Sequence, residues 1–295
     1  MTTGKRIGWI GMSVLVLLAA LSVQIVASVV VVLPRAFMAG AQAAMNGQDV
    51  ASVTDNLMGE LGSIMGIILV IVGVLLLLVF LPWFYFGCGR PKITGDCVRR
   101  VFAPRTLLVV VAVSVGMNYG INCLLQLVYT VAPQALENYQ QLMENAGIGI
   151  DGWANAAAVL LAPLGEELIF RGVAFYYARK AVSGMGNPRA EFWIANCLQA
   201  LLFGIYHMNL VQGIYAFVIG LVLGYLYQRY HSVIPGMLAH LVFNGMSALF
   251  GDMLYAWIPD SAVWYALIGT VGLAMVLLIM VFNGLKFADH EQNVA

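Results

Sequence analysis

The chain has 295 residues, of which 62% are hydrophobic and 9% charged, with a formal net charge of zero. An average soluble domain is about one quarter charged, so this balance excludes a soluble enzyme and points to an integral membrane protein. The zero net charge offers no basic surface for nucleic acid. The four scattered cysteines, Cys88, Cys97, Cys123 and Cys197, form no CxxC pair and no disulfide framework.

Apolar stretches of about 20 residues mark membrane spans. Eight are read in chain order: 7–33, 62–87, 106–131, 153–178, 191–207, 210–228, 233–250 and 262–285. The first is longer than a signal-peptide core of about 7–15 residues and is read as a retained span. The fifth and seventh are short and carry polar residues. Long outer loops are expected from Pro34 and from Ala132. The second places Leu136, Tyr139, Leu142 and Met143 at helical spacing, which predicts a helix lying on the membrane, on the protein or in solvent.

Basic residues test this count, because short cytoplasmic loops are enriched in Lys and Arg. Lys5 and Arg6 precede span one. Arg90, Lys92, Arg99, Arg100 and Arg105 lie between spans two and three. Arg179, Lys180 and Arg189 lie between spans four and five, Arg229 follows span six, and Lys286 follows span eight. Only Arg35 and Arg171 depart from this side, and the loops 132–152 and 251–261 contain no Lys or Arg. The expectation is an all-α, polytopic helix bundle with both termini cytoplasmic. It is read as a single membrane-embedded unit, 1–295. Within it, 1–152 is an N-terminal three-span region, 153–250 the core that carries the chemistry, and 251–295 the last span and tail. No internal repeat or soluble domain is present.

The fourth span contains "LLAPLGEELIFRGVAFYYARK" (160–180), with two carboxylates and a guanidinium where lipid is expected. Each such charge costs at least about 2.5–3.5 kcal/mol at a span centre and marks a functional candidate. Glu166 lies 13 residues before Arg179, roughly 20 Å from the cytoplasmic end at 1.5 Å per residue. Glu167 and Arg171 are i and i+4, so they share a face and can neutralise each other. Glu166 points about 100° away, which leaves it the less compensated carboxylate and a candidate general base.

Partners for it lie in later spans. His207 ends "LQALLFGIYH", and His240 sits in "IPGMLAHLVFNGMSALF" with Asn244 one turn on. His231 is in a basic loop and His290 in the tail. Any one of these features alone is equally well read as interhelical glue. Three polar faces within residues 166–244 favour a shared cavity, because unpaired polar groups are costly in hydrocarbon.

Taken in order, "EELIFR" (166–171), "FGIYH" (203–207) and "HLVFN" (240–244) read EExxxR, FxxxH and HxxxN. This pattern resembles the CPBP family, which comprises type II CAAX prenyl endopeptidases, bacteriocin-processing and self-immunity proteins, and lysostaphin-resistance-like proteins. The resemblance covers roughly residues 153–250. It implies that Glu166 and His207 activate a water and that His240 and Asn244 stabilise the oxyanion. Glu167 and Arg171 would be supporting residues. Members of the family have been described both as metalloproteases and as metal-independent glutamate proteases. No cofactor is favoured here. Zinc is the alternative, held by Glu166, His207 and His240, which would leave only Glu167 as a base.

Other protease chemistries fit less well. There is no HExxH motif and no pair of intramembrane aspartates. "GMSA" (245–248) resembles a serine-protease GxSx, but no later span supplies a histidine. Gly220 and Gly224 form a GxxxG read as helix packing. Cys88 and Cys97 lack the further ligands of a zinc site. The expected activity is hydrolysis of a peptide bond in a membrane-associated substrate, of CAAX or of leader or bacteriocin type. The alternatives are a non-catalytic peptide-binding immunity or scaffold protein, and a proton-coupled transporter. The expected partners are that peptide or protein and the lipid bilayer, in a bacterial cell membrane, with no nucleic acid. Neither oligomeric state nor substrate identity is encoded legibly.

One geometric demand follows. His240 lies about seven residues inside one end of its span, and His207 lies towards the opposite end of its own. Straight helices do not bring these to one depth. Tilted, broken or re-entrant helices are expected, at Pro163, Pro235 and Gly236.

Overall fold

The computed structural model describes residues 1–47, 49–88 and 95–285. Arg90, Lys92, Lys286 and His290 lie outside them. The described chain is all-α, in the order α1 (Thr3–Asn46), α2 (Val50–Pro82), α3 (Gly95–Val101), α4 (Pro104–Val131), α5 (Pro133–Asn145), α6 (Gly152–Ala156), α7 (Ala162–Glu166), α8 (Phe175–Val182), α9 (Pro188–Tyr206), α10 (Leu210–Tyr230), α11 (Ile234–Tyr255) and α12 (Ala262–Asn283). Three wider π-helical segments interrupt it: Trp83–Gly87 after α2, Ala157–Leu161 between α6 and α7, and Glu167–Ala174 between α7 and α8. Among the described residues, six helices are long and apolar enough to cross a membrane: α1, residues 57–87, α4, α10, residues 234–251, and α12. Large apolar side chains face outward, with Leu108 at 71% and Phe282 at 83% exposure, while Glu167, Arg171, Asn196 and Gln199 are fully buried. That inversion of the soluble pattern is what a lipid solvent imposes. The protein is an integral membrane helix bundle.

The other two expected spans, 153–178 and 191–207, are the continuous helical stretch 152–182 and α9. Both bury polar side chains against the protein, although α9 also turns Trp193, Ile194, Leu201 and Ile205 outward. Every residue from 165 to 175 is buried, and this stretch touches α1, α2, α9, α10 and α11. A helix surrounded by protein can carry charge where a lipid-facing helix cannot. By contrast, α12 is peripheral and packs chiefly on α4.

The first outer loop is corrected. Residues from Pro34 do not form a loop: α1 continues through Pro34 to Asn46, and α2 starts at Val50. At 1.5 Å per residue a 44-residue helix is about 66 Å long, well beyond a hydrocarbon core of about 30 Å. The hairpin therefore projects past the bilayer. The predicted helix after Ala132 is α5. It rests on the protein, with Leu136 buried and the Tyr139 hydroxyl 2.8 Å from that of Tyr215 on α10.

Basic ends meet as the charge pattern demands. Arg6 Nη1 donates to Ala181 O at 2.9 Å, and Lys180 Nζ lies 4.9 Å from the Trp9 ring. The start of α1 and the end of α8 thus share one side.

Small residues set the closest approaches. A Cβ on Gly220 would stand 2.9 Å from the Ala200 Cβ, so the GxxxG face of α10 packs on α9. A second such face joins α4 to α12: a Cβ on Gly116 would stand 2.8 Å from Gly272 O, and one on Gly272 2.7 Å from Gly116 O. Gly272→Val should therefore lower Tm in detergent by several degrees, since overpacking costs about 1–3 kcal/mol. Gly251→Ala, with nothing within 4 Å of the added carbon, should leave Tm unchanged or slightly raised. Equal losses in both variants would contradict the packing account.

Candidate active site

The site begins with the local backbone. Pro163 has no N–H to return to the carbonyl of Val159, and its ring crowds that carbonyl. The turn before it is π-helical, and a second π segment follows directly from Glu167 to Ala174. Such widenings are rare and concentrate at functional sites. The chain stays helical through Pro163, so the expected break is a widened turn. Pro235 is the second residue of α11 and starts that helix. Wider turns rotate less per residue, so adjacent side chains diverge less than the 100° of a regular helix.

The consequence is visible at Glu166 and Glu167. Both carboxylates reach His240: Glu167 Oε1 lies 3.3 Å from Nδ1, and Glu166 Oε2 lies 3.7 Å from Nε2. The expected division into a closed pair and a separate carboxylate is therefore modified. Glu167 does pair with Arg171, at 2.8 Å from Oε1 to Nη1. The line between them lacks hydrogen-bond geometry, and Arg171 Nε, Nη1 and Nη2 have no hydrogen-bond partner among the described residues. Arg171 is instead also held by its ring neighbour, with its guanidinium carbon 4.4 Å from the Phe203 centroid.

Charge counting constrains the cluster. Two carboxylates and one guanidinium leave one negative charge uncompensated in a low-dielectric interior. His240 stands between the two carboxylates, with one ring nitrogen facing each.

His207 follows α9, and its Nδ1 lies 2.9 Å from Phe203 O. A carbonyl only accepts, so Nδ1 carries the hydrogen and Nε2 of the neutral ring is the free acceptor. Glu166, His240 and Arg171 all act electrostatically on this imidazole. The Phe203 ring lies 4.8 Å from that of His207 and 5.9 Å from that of His240. The two histidines thus flank one aromatic ring, which resolves the expected mismatch in depth.

Asn244 is one turn beyond His240 on α11, and its Nδ2 donates to Ala158 O at 2.8 Å. One amide hydrogen is therefore anchored to the π segment that precedes Pro163, and the second is left for another acceptor. Ser247 of the "GMSA" stretch accepts from Asn118 Nδ2 at 2.8 Å and belongs to a different polar group.

Exposure divides the cluster. Glu167 and Arg171 are 0% exposed, whereas the Glu166 side chain keeps 12%, and His207 and Asn244 are half-buried. Among the described residues, no three His, Cys, Asp or Glu side chains are gathered to hold a metal ion. Glu166, His207 and His240 do not fit one as they stand.

Several contributors escaped sequence reading. Phe203 stood in a motif without a role. Gly236 admits Glu167, since a Cβ there would stand 2.6 Å from Glu167 Oε2. Tyr206 accepts from Gln24 Nε2 at 2.6 Å, and both Tyr206 and Tyr215 lie within the electrostatic reach of Glu166. Their only sequence signal was a polar group within an apolar run.

Removing one member of the buried set should be severe. Arg171→Met should cost about 3–5 kcal/mol and most of the folded yield. The double variant Arg171→Met/Glu167→Gln should recover part of it, as read by size-exclusion profile and Tm. A double variant as unstable as the sum of the singles would show that the pair is not coupled.

Comparison with known proteins adds one finding. Residues 151–246 match the family model of the type II CAAX prenyl endopeptidase Rce1-like proteins, about a third of the chain. No curated protein and no solved structure matches the chain. The matched segment runs from the Asp151 cap of α6 into α11 and contains all of Glu166, Glu167, Arg171, His207, His240 and Asn244. The segment 151–246 is therefore similar to the Rce1-like type II CAAX prenyl endopeptidases, which supports the CPBP resemblance carried by the three motifs.

Proposed function

We propose that the protein is an intramembrane endopeptidase that hydrolyses a peptide bond in a membrane-associated substrate by Glu166-activated water. The carrying observation is a partly exposed carboxylate, Glu166, facing His240 and set against the fully buried Glu167–Arg171 pair. The type II CAAX prenyl endopeptidase domain supports peptidase chemistry. It also makes a lipidated C-terminal peptide the first substrate to try, with leader or bacteriocin-type peptides next.

The residues suggest a balanced sequence of steps. Glu166 accepts a proton from water that His207 Nε2 orients, and the water oxygen bonds to the scissile carbonyl carbon. The carbonyl π electrons move to its oxygen. That oxyanion receives hydrogen bonds from His240 Nε2–H and the free Asn244 amide N–H. Nε2 serves as that donor when it carries a hydrogen. Glu166 then passes its proton to the departing amine as the C–N bond breaks. The Glu167–Arg171 pair holds His240 in position.

The reading is metal-free. Zinc held by Glu166, His207 and His240 is the alternative, and it would polarise the carbonyl and acidify water. A bacterial cell membrane with cytoplasmic termini is the expected setting. A non-cleaving immunity or scaffold protein, or a transporter, would use the same cavity without hydrolysis.

Glu166→Gln should abolish cleavage of a reporter peptide while expression and Tm stay near wild type. Cleavage by this variant at the wild-type rate would remove the glutamate base. Chelation should leave wild-type turnover unchanged, and loss of activity restored by zinc would select the metal alternative. Asn244→Ala should lower kcat by about 10²–10³, the usual cost of one oxyanion donor, with KM little changed. No loss in kcat would take Asn244 out of the oxyanion hole.

A further inference from the structure

A second polar concentration lies far from Glu166 in the fold. The start of α4 and the ends of α10 and α12 enclose a recess of about 160 Å³, lined by Arg100, Arg105, Thr106, Arg229, Tyr230 and Asn283. That is room for several waters at about 30 Å³ each. Arg229 is held in place: its Nε donates to Asn283 O at 2.9 Å, and its guanidinium carbon lies 5.4 Å from the Tyr230 ring. Thr106 Oγ1 donates to Arg100 O at 2.7 Å, which ties α3 to the start of α4. Among the described residues, none of the three arginines forms an ion pair with a carboxylate. Three like charges around one recess repel unless an anion lies among them.

The location defines the anion further. The recess sits where one membrane-crossing helix begins and two others end, which is headgroup depth. Asn283 also ends a shallow, open groove on one face of α12, formed by residues of that helix alone, among them Val271, Met275, Leu278, Ile279 and Phe282. The face is almost wholly apolar. From Val271 to Asn283 is 12 residues, or about 18 Å of helix. That is close to one leaflet of a hydrocarbon core of about 30 Å. A cationic end joined to an apolar helix face of leaflet depth matches one amphiphile.

We propose that this composite site binds an anionic phospholipid, with its phosphate among Arg100, Arg105 and Arg229 and an acyl chain along α12. Basic pockets between spanning helices hold lipid headgroups by the same electrostatics. A soluble anion would use the arginines but leave the groove unfilled. A second copy of the chain would cover the groove but bring like charges together. The bound lipid would brace α12, which otherwise rests chiefly on α4.

The test uses the full-length protein in neutral phosphatidylcholine nanodiscs with added phosphatidylglycerol, followed by native mass spectrometry of retained lipid. Wild type should retain phosphatidylglycerol in preference to phosphatidylcholine and gain Tm with it. Arg100→Gln/Arg105→Gln/Arg229→Gln should weaken retention about 100-fold, on the scale expected for three arginines near a charged surface. Because Arg229 also bonds to α12, the double variant Arg100→Gln/Arg105→Gln, at two exposed positions, should still lose at least about tenfold. Inorganic phosphate should not displace the lipid. Equal retention of both lipids by wild type, undiminished retention by the double variant, or displacement by inorganic phosphate would each overturn the proposal.

Discussion

The burial of Arg171 against Glu167 is the constraint on which the rest of the structure depends. Both side chains are wholly removed from solvent, and each isolated charge would cost several kcal/mol in such an interior. The surrounding architecture answers that cost. Residues 165–175 are all buried, within a stretch that packs on α1, α2, α9, α10 and α11. Gly236 brings α11 close enough for Glu167, and Phe203 presents its ring to the guanidinium. His240 then bridges Glu167 and Glu166. The buried pair is thus an anchor that determines where His240, and through it Glu166, must sit.

The second organising feature is the widened backbone around Pro163. A regular helix would spread Glu166 and Glu167 by about 100°. The π segment beginning at Glu167 lets both address the two nitrogens of one imidazole. The preceding π segment exposes Ala158 O to Asn244, so the same distortion fixes the HxxxN helix at two points. His207, which follows α9, packs its ring edge-on to Phe203, as His240 does. Glu166 and Glu167 meet His240, and Asn244 meets Ala158, because irregular turns, not straight rods, carry them. Their unequal exposure separates the groups that hold from the groups able to meet a substrate.

Much of this was legible in the sequence. Apolar run length and the placement of Lys and Arg defined the membrane bundle, because the bilayer imposes both. The i,i+4 spacing of Glu167 and Arg171 announced their pairing, and the motifs marked His240 and Asn244 as polar groups that need partners on another helix. What was hidden had physical reasons. Periodicity assumes 3.6 residues per turn, so π geometry and its effect on Glu166 were invisible. Apolarity alone does not separate a lipid-facing span from a protein-enclosed helix, so the central position of 152–182 had to come from packing. Polar composition suggested a loop after Pro34, although Ala and Met there favour helix. The arginines at 100, 105 and 229 read as topology signals, and only folding brought them to one recess.

The central claim is that Glu166 acts on water and not on the substrate carbonyl directly. Single-turnover cleavage of a prenylated reporter peptide in heavy-oxygen water tests it most directly, with mass spectrometry of both the product and the enzyme fragment containing Glu166. The account predicts heavy oxygen in the new product carboxylate after the first turnover and none in the Glu166 side chain. Heavy oxygen in Glu166, with an unlabelled first product, would mean nucleophilic attack by the carboxylate and would contradict it.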